Sequence, residues 1–144
     1  MLYQDNDYKT IAVVNPNINS PQLMNALGHA TAGLVSKIGG SEDLQFLKYE
    51  FQESWSDPSH ISQYPYIILK AKNNNQLKTL HQALNEAGIV HNAFTHSMLG
   101  SSAEEQMSNT KSTRMDDMTY MAIVMFGKTE TLTSFTRKFS LFNG

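Results

Sequence analysis

The sequence predicts a three-layer α/β/α sandwich around a mixed central sheet, with residues 1–144 forming a single α/β domain. Three observations carry this. Short β-branched runs alternate with helical stretches along the chain. Between Tyr66 and Phe94 a strand, a helix and a second strand succeed one another as a βαβ unit, which crosses over right-handedly and leaves its strands parallel or at least in one sheet. The chain then closes on a further strand and helix, so that helices are available to both faces of the sheet. A length of 144 residues with 40% apolar side chains suits one core of ordinary size.

Taken in order, Thr10–Val14 is a β-branched run stopped by Asn15-Pro16-Asn17 and reads as a strand buried on both faces. Ser20-Pro21 then supplies an N-cap and a first-turn proline for a helix that Gly39-Gly40 closes after Ile38. Leu23, Leu27, Ala30, Leu34 and Ile38 form its buried stripe. The opposite flank carries Asn25, His29, Ala32, Gly33 and Ser36, and no charged residue stands between Pro21 and Ser36. Exposed helical faces ordinarily hold Lys and Glu, and glycine costs about 0.8–1 kcal/mol relative to alanine, so something is expected to approach this flank closely.

Residues 44–54 alternate at Leu47, Tyr49 and Phe51 as a half-buried strand, and residues 55–63 read as a turn or loop around Asp57-Pro58-Ser59. Tyr66–Ala71 is a strand. Asn73-Asn74-Asn75 opens a helix that runs to Ala87, ends at Gly88 and buries Leu77, Leu80, Leu84 and Ala87. Ile89–Phe94 is the next strand. The Ser- and Thr-rich stretch 100–117 is expected to be a loop with one helical turn near Ala103–Met107. Thr119–Phe126 is the last strand, ended by Gly127, and Thr129–Phe139 is a helix with Leu132, Phe135 and Phe139 on one face.

Composition excludes several functions. Charged residues are 17%, below the roughly 25% of an average soluble chain, whereas Asn, Gln, Ser and Thr fill 45 of 144 positions. The balance is 11 basic to 13 acidic residues, net −2, with Arg114 and Arg137 the two arginines. Nucleic-acid binding draws its affinity from phosphate neutralisation, so no nucleic-acid partner is expected. With no cysteine, disulfides, thiolate metal sites and thiol nucleophiles are excluded. No apolar run reaches the roughly 18 residues of a membrane span. Met1–Tyr8 lacks a basic start followed by an apolar stretch, so no signal peptide and a cytoplasmic address are expected. Gly-x-Gly-x-x-Gly, Walker, Gly-x-Ser-x-Gly and His-Glu-x-x-His patterns are all missing. Neither a cofactor nor a metal site is implied.

The remaining candidates are polar residues at strand ends and on the uncharged helical flank. Asn15, Asn17 and Ser20 lead into a helix N-terminus, where unsatisfied N–H groups receive an anion or carbonyl oxygen; the same residues also suit an ordinary capped turn. His29 follows Asn25 by one turn, so Asn25 is placed to fix the imidazole tautomer while His29 acts as a base or hydrogen-bond donor. A packed histidine is the alternative. Thr95 and His96 leave a strand at its C-terminal end, where open α/β sheets place ligands, or else form a simple exposed turn. His81 is expected on an exposed helical face, His60 in a loop and His91 inside a strand. The methionines are expected to fill the core.

Four segments carry a resemblance: Ala12-Val13-Val14-Asn15-Pro16, Asn25-x-x-x-His29, Phe94-Thr95-x-x-Met98-Leu99 and Leu132-x-x-x-Thr136-Arg137-Lys138-Phe139-Ser140-Leu141. In this order and spacing the chain resembles the type II peptidyl-tRNA hydrolase fold. More closely, it is similar to a bacterial domain family of unknown function that shares that fold. In the hydrolases the resemblance implies a Gly-Lys-x-Ala-Ala-Gln-x-Ser-His run on the first helix. His29 matches it, but Gln22, Ala26 and Gly28 stand where the lysine, glutamine and serine belong. The hydrolases' Asp-Ala-Gly-x-Thr run falls near Thr95-His96-Ser97, which has no carboxylate. Peptidyl-tRNA hydrolysis is therefore not expected.

The sequence thus leaves two readings. One is a small-ligand or hydrolase-like site formed by Asn15–Ser20, Asn25, His29, Thr95 and His96. The other is a non-catalytic homodimeric interaction module using the small-residue helix face or the aromatics Phe46, Tyr49, Phe51 and Trp55, residues that alternatively belong to the core.

Overall fold

The computed structural model describes residues 7–40 and 43–143. The first six residues, read above for a leader, lie outside the described residues, as do Ser41, Glu42 and Gly144. The strands are β1 (Tyr8–Val14), β2 (Phe46–Tyr49), β3 (Ser59–Ser62), β4 (Tyr66–Lys70), β5 (His91–Thr95), β6 (Tyr120–Lys128) and β7 (Ser140–Leu141); the helices are α1 (Ser20–Ile38), α2 (Asn74–Ala87), α3 (Ala103–Ser112) and α4 (Thr129–Thr136).

The central sheet has the order β5-β6-β1-β4-β7. β1 runs parallel to β4 and antiparallel to β6, and both edge strands pair antiparallel, so the sheet is mixed. As expected, β4 and β5 of the βαβ unit lie in one sheet, with β1 and β6 between them.

Ile11–Val14 are buried on both faces. Ile11 and Val13 join Leu77, Leu80 and Leu84 of α2 and Leu132 of α4. Ala12 points the other way, to Ala26, Ala30 and Leu34 of α1. Strand alternation thereby separates two cores and builds the three layers.

A bulge interrupts the β5–β6 ladder, where Phe94 faces Ala122 but Thr95 faces Tyr120. The extra residue, Met121, shares the α1 face with Phe94, and Tyr120 is turned to the α2 side.

Several expectations need correction. Asn19, not Ser20, caps α1: its side chain accepts from the Gln22 N–H at 3.0 Å, leaving Ser20 as the first helical residue. The segment 44–54 yields only the four-residue β2, outside the central sheet. Its pairing partner is β3, which occupies the expected loop and includes His60. The alternation breaks where Glu53 and Ser54 take positive φ, 54° and 55°, in a tight turn. Phe46, Tyr49 and Trp55 are exposed and belong to no core. The polar stretch 100–117 holds the full helix α3, capped by the Ser102 side chain on the Glu105 N–H. The last long strand continues through Gly127 to Lys128, and α4 ends at Thr136, so that Ser140-Leu141 pairs with β4. Ala87 is exposed on α2, whereas Leu77, Leu80 and Leu84 are buried. Asn73 and Gly88 close α2 as predicted, Gly88 in the left-handed region at φ 69°. Met121 and Met125 fill the core, but Met24, Met107 and Met115 are exposed.

The backbone of the uncharged α1 flank is approached most closely at Gly33. A Cβ on Gly33 would collide with Asn92, whose Nδ2 donates to the Ala30 carbonyl at 3.0 Å. Asn25, Gly28, His29, Ala32 and Ser36 remain exposed. Among the described residues no helix is long and apolar enough to cross a membrane.

Candidate functional site

A cleft of about 760 Å³ opens on the α1 face of the sheet, beside the edge strand β5. One wall is α1, with Asn25, His29 and Ala30. The floor is β5, with Asn92, Ala93 and Phe94. The far wall is Met98, Leu99 and Gly100 with α3, which contributes Gln106, Met107, Thr110 and Lys111. This volume lies within the roughly 300–1,000 Å³ of small-molecule sites.

His29 is exposed into this cleft and its ring stacks on Phe94, centroids 5.9 Å apart. Neither ring nitrogen has a hydrogen-bond partner among the described residues. No hydrogen bond joins Asn25 to His29, although both line the cleft, so Asn25 does not set the tautomer.

The other wall is propped by hydroxyls. α3 rests chiefly on the 3-10 turn His96–Met98. Thr110 Oγ1 donates to the Gln106 carbonyl at 2.8 Å, so it accepts from Ser97 Oγ at 2.9 Å, and Ser97 in turn accepts from Thr95 Oγ1 at 2.7 Å. Thr95 is therefore a buried support of the cleft wall and does not line the cleft itself.

Asn15, Asn17, Ser20 and His96 also lie outside the lining. Asn15 is buried. Its Nδ2 donates to the Tyr120 carbonyl at 2.9 Å and its Oδ1 accepts from the Asn17 N–H at 3.0 Å. His96 Nδ1 accepts from the Thr119 N–H at 3.1 Å, and its backbone N–H donates to the Thr119 carbonyl. Asn74 adds two bonds from α2, accepting from the Tyr120 N–H at 2.7 Å and donating to the Met118 carbonyl at 2.9 Å. These side chains clasp the entry to β6. The residues predicted as one site thus divide into a cleft pair, Asn25 and His29, a wall support, Thr95, and Asn15 and His96, which satisfy strand-end backbone, with Asn17 and Ser20 on the turn into α1.

A second cleft, about 460 Å³, lies on the α2 side and contains His81 and Tyr120, hydrogen-bonded at 2.6 Å. The His91 ring meets His81 edge-on at 5.3 Å. His81 is therefore half-buried, not on an exposed face. The signal was present: Leu77, His81 and Leu84 stand at i, i+4 and i+7, one helical stripe.

Burial first, then His91 and Lys37, lower the His81 pKa below its ordinary 6.5. The unfolded chain consequently binds this proton at higher pH than the folded one, and His81 makes stability fall as pH drops through and below 6.5. Urea unfolding midpoints are expected to decrease more between about pH 7.5 and about pH 5 in the wild type than in His81→Gln. Equal slopes would contradict the burial of the imidazole. Among the described residues no group of three or more His, Asp or Glu could hold a metal ion.

Residues 8–143 match a family model described as a protein of unknown function, DUF2000. The chain belongs to the DUF2000 family. Its fold is similar to the solved structure of a protein of unknown function from Agrobacterium tumefaciens strain C58, with a TM-score of 0.78 and 15% identity, covering 95% of this chain and 98% of that one. No curated protein matches. At that identity the likeness of this DUF2000 protein concerns the fold alone.

Proposed function

We propose that this DUF2000 protein binds a small molecule in the cleft between α1 and α3, with His29 as the hydrogen-bonding or proton-handling group. The observation that carries this is an imidazole with both nitrogens unengaged, seated on Phe94 at the wall of a ligand-sized cleft. In a hydrolase-like reaction the same imidazole takes the proton of an attacking water. The type II peptidyl-tRNA hydrolase architecture belongs to this proposal, supported by the mixed sheet and the helix-borne histidine. Peptidyl-tRNA is not the proposed substrate, because Gln22, Ala26 and Gly28 replace the expected polar partners and Lys111 is the single basic chain, other than His29, in the lining.

Saturation-transfer NMR against a mixed fragment library is expected to return binders that His29→Ala loses. Because the ring is exposed, that variant should melt within about 2–4 °C of the wild type. A library without binders, or binders indifferent to His29→Ala, would overturn the reading; a large stability loss would assign His29 to packing.

A second reading is favoured by the exposure of Phe46, Tyr49 and Trp55, at 50%, 44% and 74%. It makes the protein a non-catalytic homodimeric interaction module joined through the β2–β3 hairpin. On that reading the mass measured in concentrated solution is twice the chain mass, and a strict monomer rejects it.

A further inference from the structure

We infer that the cleft takes an amphiphile of the carboxylate class, with an apolar body and one anionic end; this rests on the small-ligand reading above. Three features of the lining point the same way.

The first is charge. Lys111 and His29 both line the cleft, and no carboxylate does. Among the described residues the ion pairs are Lys48–Glu50 and Lys78–Asp116, so Lys111 has no acidic partner. The carboxylate of Glu105 lies beside Gly100 at the edge of the cleft and accepts from Ser101 Oγ at 3.1 Å. An anion entering the cleft meets a cation and an imidazole among the lining side chains, whereas a cation finds no carboxylate among them.

The second is the apolar surface. Phe94 forms part of the floor, and Met98 and Met107 stand opposite α1. Met107 is 65% exposed, so a bound alkyl or aryl body would remove apolar surface from water that the fold leaves uncovered. Methionine side chains adapt to bodies of varied shape.

The third is size together with spare donors. The volume of about 760 Å³ exceeds the need of a bare acetate, so the anionic group brings a body with it. Asn92 and Gln106 each spend one amide N–H on a backbone carbonyl, Ala30 and Gly100 respectively, and each amide keeps a second N–H.

The test is a titration of the 15N-labelled full chain with octanoate, 1-octanol and acetate, followed through the backbone amides of Asn25, His29, Phe94 and Met107. Octanoate is expected to shift these amides and to bind about tenfold more tightly than octanol, with acetate inert. Lys111→Met, a change at an exposed position, should weaken octanoate about five- to tenfold and leave octanol unchanged. Equal binding of octanoate and octanol, or an unaltered octanoate affinity in Lys111→Met, overturns the anionic assignment while the small-ligand reading survives. Acetate binding as well as octanoate overturns the apolar half. If neither eight-carbon probe moves these amides but library fragments still depend on His29, the ligand class alone is wrong. If no library fragment binds either, both readings fall.

Discussion

Leu84→Ala is expected to destabilise the protein by about 2–5 kcal/mol and to lower its melting temperature by about 10 °C. Leu84 is fully buried, and the cluster around it joins α2 to Ile11 and Val13 of β1 and to Ile123 and Met125 of β6. Truncation removes the transfer free energy of the lost carbons and leaves a cavity that strands on one side and α2 on the other cannot close without breaking their ladders. Against a total stability of roughly 5–15 kcal/mol this is a large fraction. The cleft lies on the opposite face of the sheet, so ligand binding by the folded fraction should persist. A melting temperature within about 3 °C of the wild type would mean that α2 does not pack as described.

Asn15→Leu is the second large effect, with an expected loss of about 2–3 kcal/mol in urea unfolding. Leucine keeps the branching at Cγ and the number of heavy atoms and is the bulkier residue, so no cavity complicates the measurement. What changes is the bonding: the Tyr120 carbonyl loses its 2.9 Å donor and the Asn17 N–H its acceptor. A buried carbonyl left without a partner bears its full desolvation penalty. Asn15→Asp should be worse still, since it keeps an acceptor for Asn17 but sets a carboxylate against the Tyr120 carbonyl. An Asn15→Leu protein of unchanged stability that no longer binds ligand would restore the binding role that the sequence assigns to this residue.

Asn15 also shows how far a sequence can be read. Its position after a β-branched strand and before a proline identifies the end of β1, because strand propensity and turn chemistry are local. Whether its amide faces a ligand or a neighbouring carbonyl depends on Tyr120, more than 100 residues away. His96 and Thr95 are the same case: strand-end polar residues whose partners, Thr119 and Ser97, are supplied by the way the chain folds back. His81 differs, since its helical spacing from Leu77 and Leu84 already marks it as inward-facing, and the polar character of histidine masks that signal. The stretch around α3 carries little helical signature, because Ser, Thr and Asn favour caps and turns and the helix buries no apolar stripe that would announce its period.

The sequence alone therefore determined the buried first strand, the long helix after it with its uncharged flank, the capped α2 of the βαβ unit and the mixed α/β class. Each follows from apolar periodicity and from groups that bond within a few residues. Tertiary structure decided that β2 and β3 stand apart from the central sheet, that a bulge at Met121 turns Tyr120 toward His81, and that α3 leans across from the turn after β5 to make a cleft at His29. Those outcomes depend on which distant surfaces exclude water from one another, and no local spacing of residues encodes that choice.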